Sequence, residues 1–252
     1  MAYQPLNIGD YSVFLEETNS TNDALKLLFG KEDLPDGALI YTHFQSNGRG
    51  QENAVWESER GKNLLLSVLL KPHFILADEQ IWLNLVVSLA LRATVEKLSG
   101  LNARIKWPND IYFEDKKLAG ILIENAIQGK RLRYSIIGIG LNLNQEKFVI
   151  EKAASLFSLM GNRFEPKLAR ETFCAQLSHF YALLLGKQHN LLWENYHQYL
   201  HGKGQLACFE KDGQEIEAEI LGIDKKGRLH LLHNDEIKSF AHKEITFIEL
   251  IK

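Results

Sequence analysis

Between Ala103 and Asn144 lie three strand-like segments, "ARIKW", "KLAGILIENAI" and "RLRYSIIGIGLNLN", set apart by turn sequences that include "EDKK" and "QGK". That spacing reads as a β-meander, and no other stretch restricts the fold as tightly. Upstream, "YSVFLEET" (11–18), "ALIYTHF" (38–44) and "LLLSVLL" (64–70) read as further strands, the last ended by Pro72. Between the first two, "NSTNDALKLLFG" predicts a helix that Gly30 closes, with Ser20 and Asp23 spaced as a capping box. The longest helical pattern covers 78–100, with an acidic start and Gly100 as its stop. It is apolar on most faces, which predicts packing against a sheet. Helical patterns return at 166–186, where Phe173, Leu177, Phe180 and Leu184 share a face, and at 188–201. After "HGKG" (201–204) five short strands follow, with turns "KDG", "DKKG" and "HND", and they predict a small appended β-barrel. The expected division is therefore 1–200 and 203–252.

Net charge is −3, so bulk electrostatics do not argue for nucleic acid or an anionic membrane. No apolar run is long enough to span a bilayer, and the N-terminus lacks the pattern of a signal peptide. Cys174 and Cys208 stand far apart in no metal-ligand pattern and are expected to be free, buried thiols of a cytoplasmic protein.

Four short stretches carry the candidate chemistry. In "FQSNGRGQENAVWES", Gly48 and Gly50 flank Arg49, and glycine lets backbone N–H groups approach an anion that a guanidinium grips with its planar fork. The same residues also suit an exposed flexible loop. In "KWPND", Pro108 stops a strand and holds Trp107 extended. Asn109 and Asp110 are then poised at a cleft, Asp110 as a Mg²⁺ ligand, although Pro-Asn-Asp is also an ordinary turn. In "KKLAGIL", Lys117 can project toward a bound acid and Gly120 leaves room for a flat ligand, while Lys116 is expected to be solvated. "GIGLNLN" places Gly140 and Asn142 in an apolar strand, which suggests either close backbone approach or a bulge and turn. His197 and His201 share a helical face but have no third ligand, and neither a Gly-x-Ser-x-Gly elbow nor a Walker A loop occurs.

Taken in order, "STN" (20–22), "Q..GRG" with "WES" (45–58), "KWPND", "KLAGILIE" and "GIGLNLN" resemble the biotin protein ligases over nearly the whole chain. The resemblance implies an α+β fold, a mixed central sheet with helices mainly on one side as in class II aminoacyl-tRNA synthetases, and an SH3-like tail. It implies ATP and Mg²⁺ as cofactors, biotin as substrate, and a carboxylase biotin carrier domain as partner, with a homodimer possible. Ser20, Thr21 and Asn22 are expected at the ureido ring, Gln45 along the ligand, and Arg49, Gly50 and Gln51 around the carboxylate and phosphate. Lys117 is expected at the activated carboxyl oxygen beside Gly120, and Lys106 among the cations that offset the meeting acids. Gly48, Trp56, Asn109 and Asn142 are expected to serve the nucleotide.

This chain departs from the family pattern where Asn53 replaces a usual glycine and Ala54 a usual Arg or Asn, which bears on loop closure. Only about ten residues precede the first strand, so an enzyme without a helix-turn-helix or operator binding is expected. The rival readings are a lipoate or octanoate ligase on the same scaffold and a degenerate module that binds biotin or a carrier without catalysis.

Overall fold

The computed structural model describes residues 6–51 and 54–251. Two sheets organise them. The larger has seven strands: β1 (Ser12–Thr18), β2 (Leu39–Gln45), β3 (Leu64–Leu70), β4 (Arg104–Lys106), β5 (Asp110–Phe113), β6 (Lys116–Gln128) and β7 (Arg131–Leu141). Their spatial order is β1-β2-β3-β7-β6-β5-β4. The expected meander is present as antiparallel β4 to β7, with β5 an additional strand between the turns read at "KWPND" and "EDKK". Only β1 pairs parallel, to β2, and the connection between them is α1 (Thr21–Phe29), the crossover that a parallel pair requires. The sheet is therefore mixed.

The pleat sorts the side chains of β3 and β7. Leu64, Leu66, Val68 and Leu70 of β3 and Ile137, Ile139 and Leu141 of β7 join the main core. That face is covered by α2 (Ile81–Ser99), α4 (Pro166–Leu185) and α5 (His189–Tyr199). On the other face α1 covers only the β2-β3-β7 end, packing Leu25 on Ile40, Leu69 and Ile136. The rest of that face holds Gly120, Gly138 and Gly140, which adjoin one another across β6 and β7.

Helix α2 is apolar all round because it is sandwiched between the sheet and α4 and α5. Gly100 ends it in the left-handed conformation, φ 72°, with its N–H on Glu96 O. In α4, Phe173, Leu177 and Leu184 are buried as expected, while Tyr181 takes the deep position expected of Phe180. The capping box is corrected. Ser20 caps α1 by position without a side-chain bond, and Asp23 turns instead to Arg49. A true box, Ser155 with Ser158, starts the short α3 (Leu156–Met160). Cys174 is buried but Cys208 is half-exposed, and both are free.

The second sheet comprises β8 (Leu206–Lys211), β9 (Gln214–Ile223), β10 (Leu229–His233), β11 (Glu236–Phe240) and β12 (Thr246–Leu250), in the order β11-β10-β9-β8-β12. Among the described residues no ladder joins β11 to β12, so the pairing defines an open antiparallel sheet, not a closed barrel. Its apolar face, including Phe209, Ile220 and Leu231, belongs to the same hydrophobic cluster as the main core. The Trp107 indole N–H donates to Gly227 O at 2.9 Å, pinning the β4–β5 turn to this sheet. No described helix is long and apolar enough to cross a membrane.

Replacing Phe173, fully buried beneath α2, with alanine is expected to cost about 3–5 kcal/mol of folding free energy. Urea unfolding of the two proteins measures the difference.

Candidate active site

A cavity of about 420 Å³ lies on the face of the large sheet that α2, α4 and α5 do not cover. Its floor is made of glycine for a steric reason. A Cβ on residue 138 would stand 2.5 Å from Asn22 Oδ1, and one on residue 140 would stand 2.5 Å from Trp56 Cζ2. A Cβ on residue 120 would meet Trp56 Cζ3 at 3.0 Å. The first four residues of "GIGLNLN" are thus the regular end of β7, with Ile139 and Leu141 toward the helices and the glycines toward the cavity, and the two asparagines follow the strand. Its β7 part contains no bulge at Gly138 or Gly140.

One end of the cavity is polar and hydrogen-bonded in depth. Ser20, Thr21 and Asn22 are buried at the start of α1. Gln45 Oε1, at the end of β2, accepts from Thr21 N–H at 2.8 Å and from Thr21 Oγ1 at 3.0 Å. Ser67, fully buried in β3, lies 2.7 Å from Thr21 Oγ1 and 2.6 Å from Asn22 Oδ1 and gives its single proton to one or the other. Asn22 Nδ2 donates to Glu124 Oε2 at 2.6 Å.

The segment after β2 folds back on itself. Gly50 N–H donates to Ala54 O at 2.6 Å, Arg49 bridges Val55, and Trp56 N–H donates to Gly48 O at 2.8 Å. Ala54 therefore closes the loop through its backbone. Asn53 lies outside the described residues. Arg49, Gly50, Gln51 and Trp56 line the cavity, whereas Gly48 does not. Gly48 is glycine because a Cβ there would stand 2.7 Å from Trp56 O, so it shapes the hairpin. Arg49 reaches Asp23 at 2.5 Å and Glu124 at 3.7 Å through Nη2, while its Nε is buried with no hydrogen-bond partner among the described residues.

The opposite wall comes from the β4–β5 turn and β6. Lys117 Nζ lies 2.7 Å from Asp110 Oδ1. Asn109 is committed to the fold, since its Nδ2 donates to Ile121 O at 2.6 Å and its carbonyl accepts from Ile121 N–H. Asn142 donates to Ala154 O at 3.1 Å, and its Oδ1 is buried without a partner among the described residues, as is Trp56 Nε1. Lys106 stands 5.0 Å from the ring centres of both Tyr112 and Phe247, the latter contributed by the second sheet. Burial lowers the Lys106 pKa; Asp110 opposes this, and Lys117 and Lys152 add to it. Burial likewise raises Tyr112, with Asp110 and Asp115 adding.

The expected His197–His201 pair does not share a helical face. His197 lies on α5, accepting from Ile223 N–H and bonding Trp193 O, whereas His201 lies beyond the helix and lines the cavity. Burial lowers the His201 pKa to about 4, with Lys106 and Arg104 reinforcing the shift. No group of three or more His, Cys, Asp or Glu side chains able to hold a metal stands among the described residues.

Residues 14–142 match the model of the biotin/lipoate A/B protein ligase family. The chain belongs to that family. It is 31% identical over 245 residues to the bifunctional ligase/repressor BirA of Escherichia coli, an alignment covering 94% of this chain and 74% of that protein. With the Bacillus subtilis protein of the same name it shares 29% identity over the same fractions. The fold is that of the Aquifex aeolicus biotin protein ligase solved in complex with biotin and ATP, with a TM-score of 0.81 at 24% identity over 95% of this chain and 99% of that one.

Sequence reasoning overlooked Ser67, Asp23 and Glu124 in this ligase, together with the second sheet's share of the cavity. Ser67 is the one polar residue in "LLLSVLL", and Glu124 closes "KLAGILIE" on the face of Gly120. Those were the available signals.

Two outcomes follow. Gly140→Ala is expected to lift the Trp56 indole and change the tryptophan emission spectrum, and the change is expected to vanish in a Trp56→Phe background. The native protein disfavours protonated His201, so its contribution is complete above the unfolded pKa near 6.5 and is lost as pH falls toward about 4. Stability is expected to drop by about 3 kcal/mol across that window, and His201→Gln is expected to flatten that part of the profile in urea titrations at stepped pH.

Proposed function

We propose that this ligase activates biotin with ATP and transfers it to a lysine of a carboxylase biotin carrier domain. The observation that carries the reading is the convergence of Arg49, Lys106 and Lys117 on one cavity whose far end is the buried Ser20–Asn22 and Gln45 network. In the first step a biotin carboxylate oxygen attacks the α-phosphorus of ATP and pyrophosphate leaves, giving biotinyl-5′-AMP. In the second a carrier lysine amine attacks the acyl carbon, the acyl–oxygen bond to phosphate breaks, AMP leaves, and the amine loses its proton.

The first step brings two anions together. At about 4 Å they repel by roughly 1 kcal/mol even in water, and by more in a site that excludes it. Cations already fixed in place offset this without reorganisation during the reaction. Arg49 is assigned to the carboxylate and phosphate, Lys117 to the activated carboxyl oxygen, and Lys106 to the phosphates. Gly50 and Gln51 wrap the acid, Gly120 gives it room, and Trp56 with the unpartnered Oδ1 of Asn142 serves the base. Asn109 and Gly48 act by shaping the site.

Asp110 fits a Mg²⁺ site in which one carboxylate works with substrate phosphates and water, the usual arrangement for that ion. The ion's contribution is neutralisation of phosphate charge. Residues 1–200 are read as the catalytic unit and 203–252 as an SH3-like unit that lends Phe247 to the Lys106 wall.

The buried amide and hydroxyl network favours a ureido ring over the plain alkyl chain of octanoate or the dithiolane of lipoate. Biotin-dependent ATP–pyrophosphate exchange, compared with lipoate and octanoate, tests the reading. Exchange with lipoate or octanoate alone overturns the substrate, and no exchange with any of the three overturns catalysis. Lys117→Ala is expected to slow biotin-dependent exchange about 10²–10³-fold. A rate within a few-fold of the parent removes Lys117 from the chemistry.

A further inference from the structure

Glu124 lies outside the cavity lining, yet it joins the two groups assigned to opposite ends of the acid. Its Oε2 accepts from Asn22 Nδ2 at 2.6 Å, and its Oε1 is 3.7 Å from Arg49 Nη2. Its position is set by the sheet. Glu124 is two residues beyond Leu122, the partner of Gly138, so it stands on the cavity face beside the glycine on which Asn22 rests. Asn22 is therefore held from three directions: Ser67 at its Oδ1, Glu124 at its Nδ2 and the bare backbone of Gly138 beneath it. A flip would set the Asn22 amide oxygen against the Glu124 carboxylate, so one orientation is presented to a ligand.

Arg49 is held in a related way. Asp23, at 2.5 Å, and Glu124 both approach Nη2, while Nε is buried and unpartnered among the described residues. A guanidinium has donors on several edges, so anchoring Nη2 leaves the buried Nε–H without an acceptor of its own among the described residues.

Resting on the ligase reading above, we propose that Glu124 is a positioning residue: it couples the orientation of the Asn22 amide to that of the Arg49 guanidinium, so that the buried Nε–H of Arg49 is aimed at the acid before it binds. Asp23 assists from the other side. Glu124 itself touches no substrate. Its contribution is preorganisation, which appears in the affinity for the acid far more than in that for ATP, of which Arg49 meets only a phosphate.

The test uses Glu124→Gln in the full chain, which preserves shape and an acceptor for Asn22 but removes the charge beside Arg49. Biotin binding by calorimetry and biotin and ATP KM in pyrophosphate exchange are measured for parent, Glu124→Gln, Arg49→Ala and the double variant. The expected result is a roughly tenfold weaker biotin Kd and a matching rise in biotin KM, with ATP KM and Tm near the parent's. In the Arg49→Ala background the same change is expected to add less than twofold, because the group through which it acts is gone. Glu124→Asp, which keeps the charge, is expected to recover part of the loss.

Unchanged or tighter biotin binding by Glu124→Gln overturns the inference, tighter binding marking Glu124 as a competitor of the ligand. A loss that multiplies fully with Arg49→Ala also overturns it, as does one shared equally by ATP KM and Tm. A parent that binds no biotin overturns the ligase reading and this inference together, whereas a parent that binds biotin with Glu124→Gln unaltered overturns this inference alone.

Discussion

The approach of Asn22 and Trp56 to the bare backbone of β6 and β7 is the constraint on which the rest of the site depends. With Asn22 Oδ1 and Trp56 Cζ2 each 2.5 Å from where a Cβ would stand, positions 138 and 140 can carry no side chain. The consequence runs both ways along the strand. The alternate positions, Ile137, Ile139 and Leu141, carry the apolar load against the helices, so an ordinary β-strand is a packed core on one side and a ligand floor on the other. The cavity thus lies on a region of sheet that no helix covers and whose bare backbone lets Asn22 and Trp56 pack close against it.

Charge inside the cavity is balanced before any ligand enters. Arg49 faces Asp23 and Glu124, Lys117 faces Asp110, and Lys106 sits between two aromatic rings. Three cations aimed at one hollow with no internal partners would repel one another and lower each other's proton affinity. That effect is visible at Lys106, where Lys117 adds to the shift that burial causes. The internal carboxylates keep the site folded and charged, and an incoming acid meets donors already in place.

Much of this was legible locally. The order of strands and helices, the meander and the Gly100 stop follow from short-range pattern, whereas "STN", "GRG", "KWPND", "KLAGIL" and "GIGLNLN" were joined to one function by their resemblance to the biotin protein ligases. The misreadings have a common origin. Asp23 has the spacing of a capping box, but a carboxylate at the surface of a helix start takes a guanidinium in preference to a backbone N–H when tertiary folding delivers one. The "KWPND" turn hid β5 because four residues between two turns give too little periodicity to read. His197 and His201 have helical spacing, yet the helix ends at Tyr199 and His201 pairs its N–H with Ile105 O instead.

Readable from the chain itself was what alternation and backbone permission set: most of the strands, the helix stops, and the room that Gly120 and Gly140 leave beside the backbone. Three contacts come from the folded chain and not from its local pattern: Glu124 between Asn22 and Arg49, Ser67 beneath Thr21 and Asn22, and Phe247 of the second sheet on Lys106. The reason is physical. Such contacts join residues 45 to 141 positions apart, and their partners are selected by strand order and by the need to satisfy buried polar groups, neither of which leaves a mark in the local pattern.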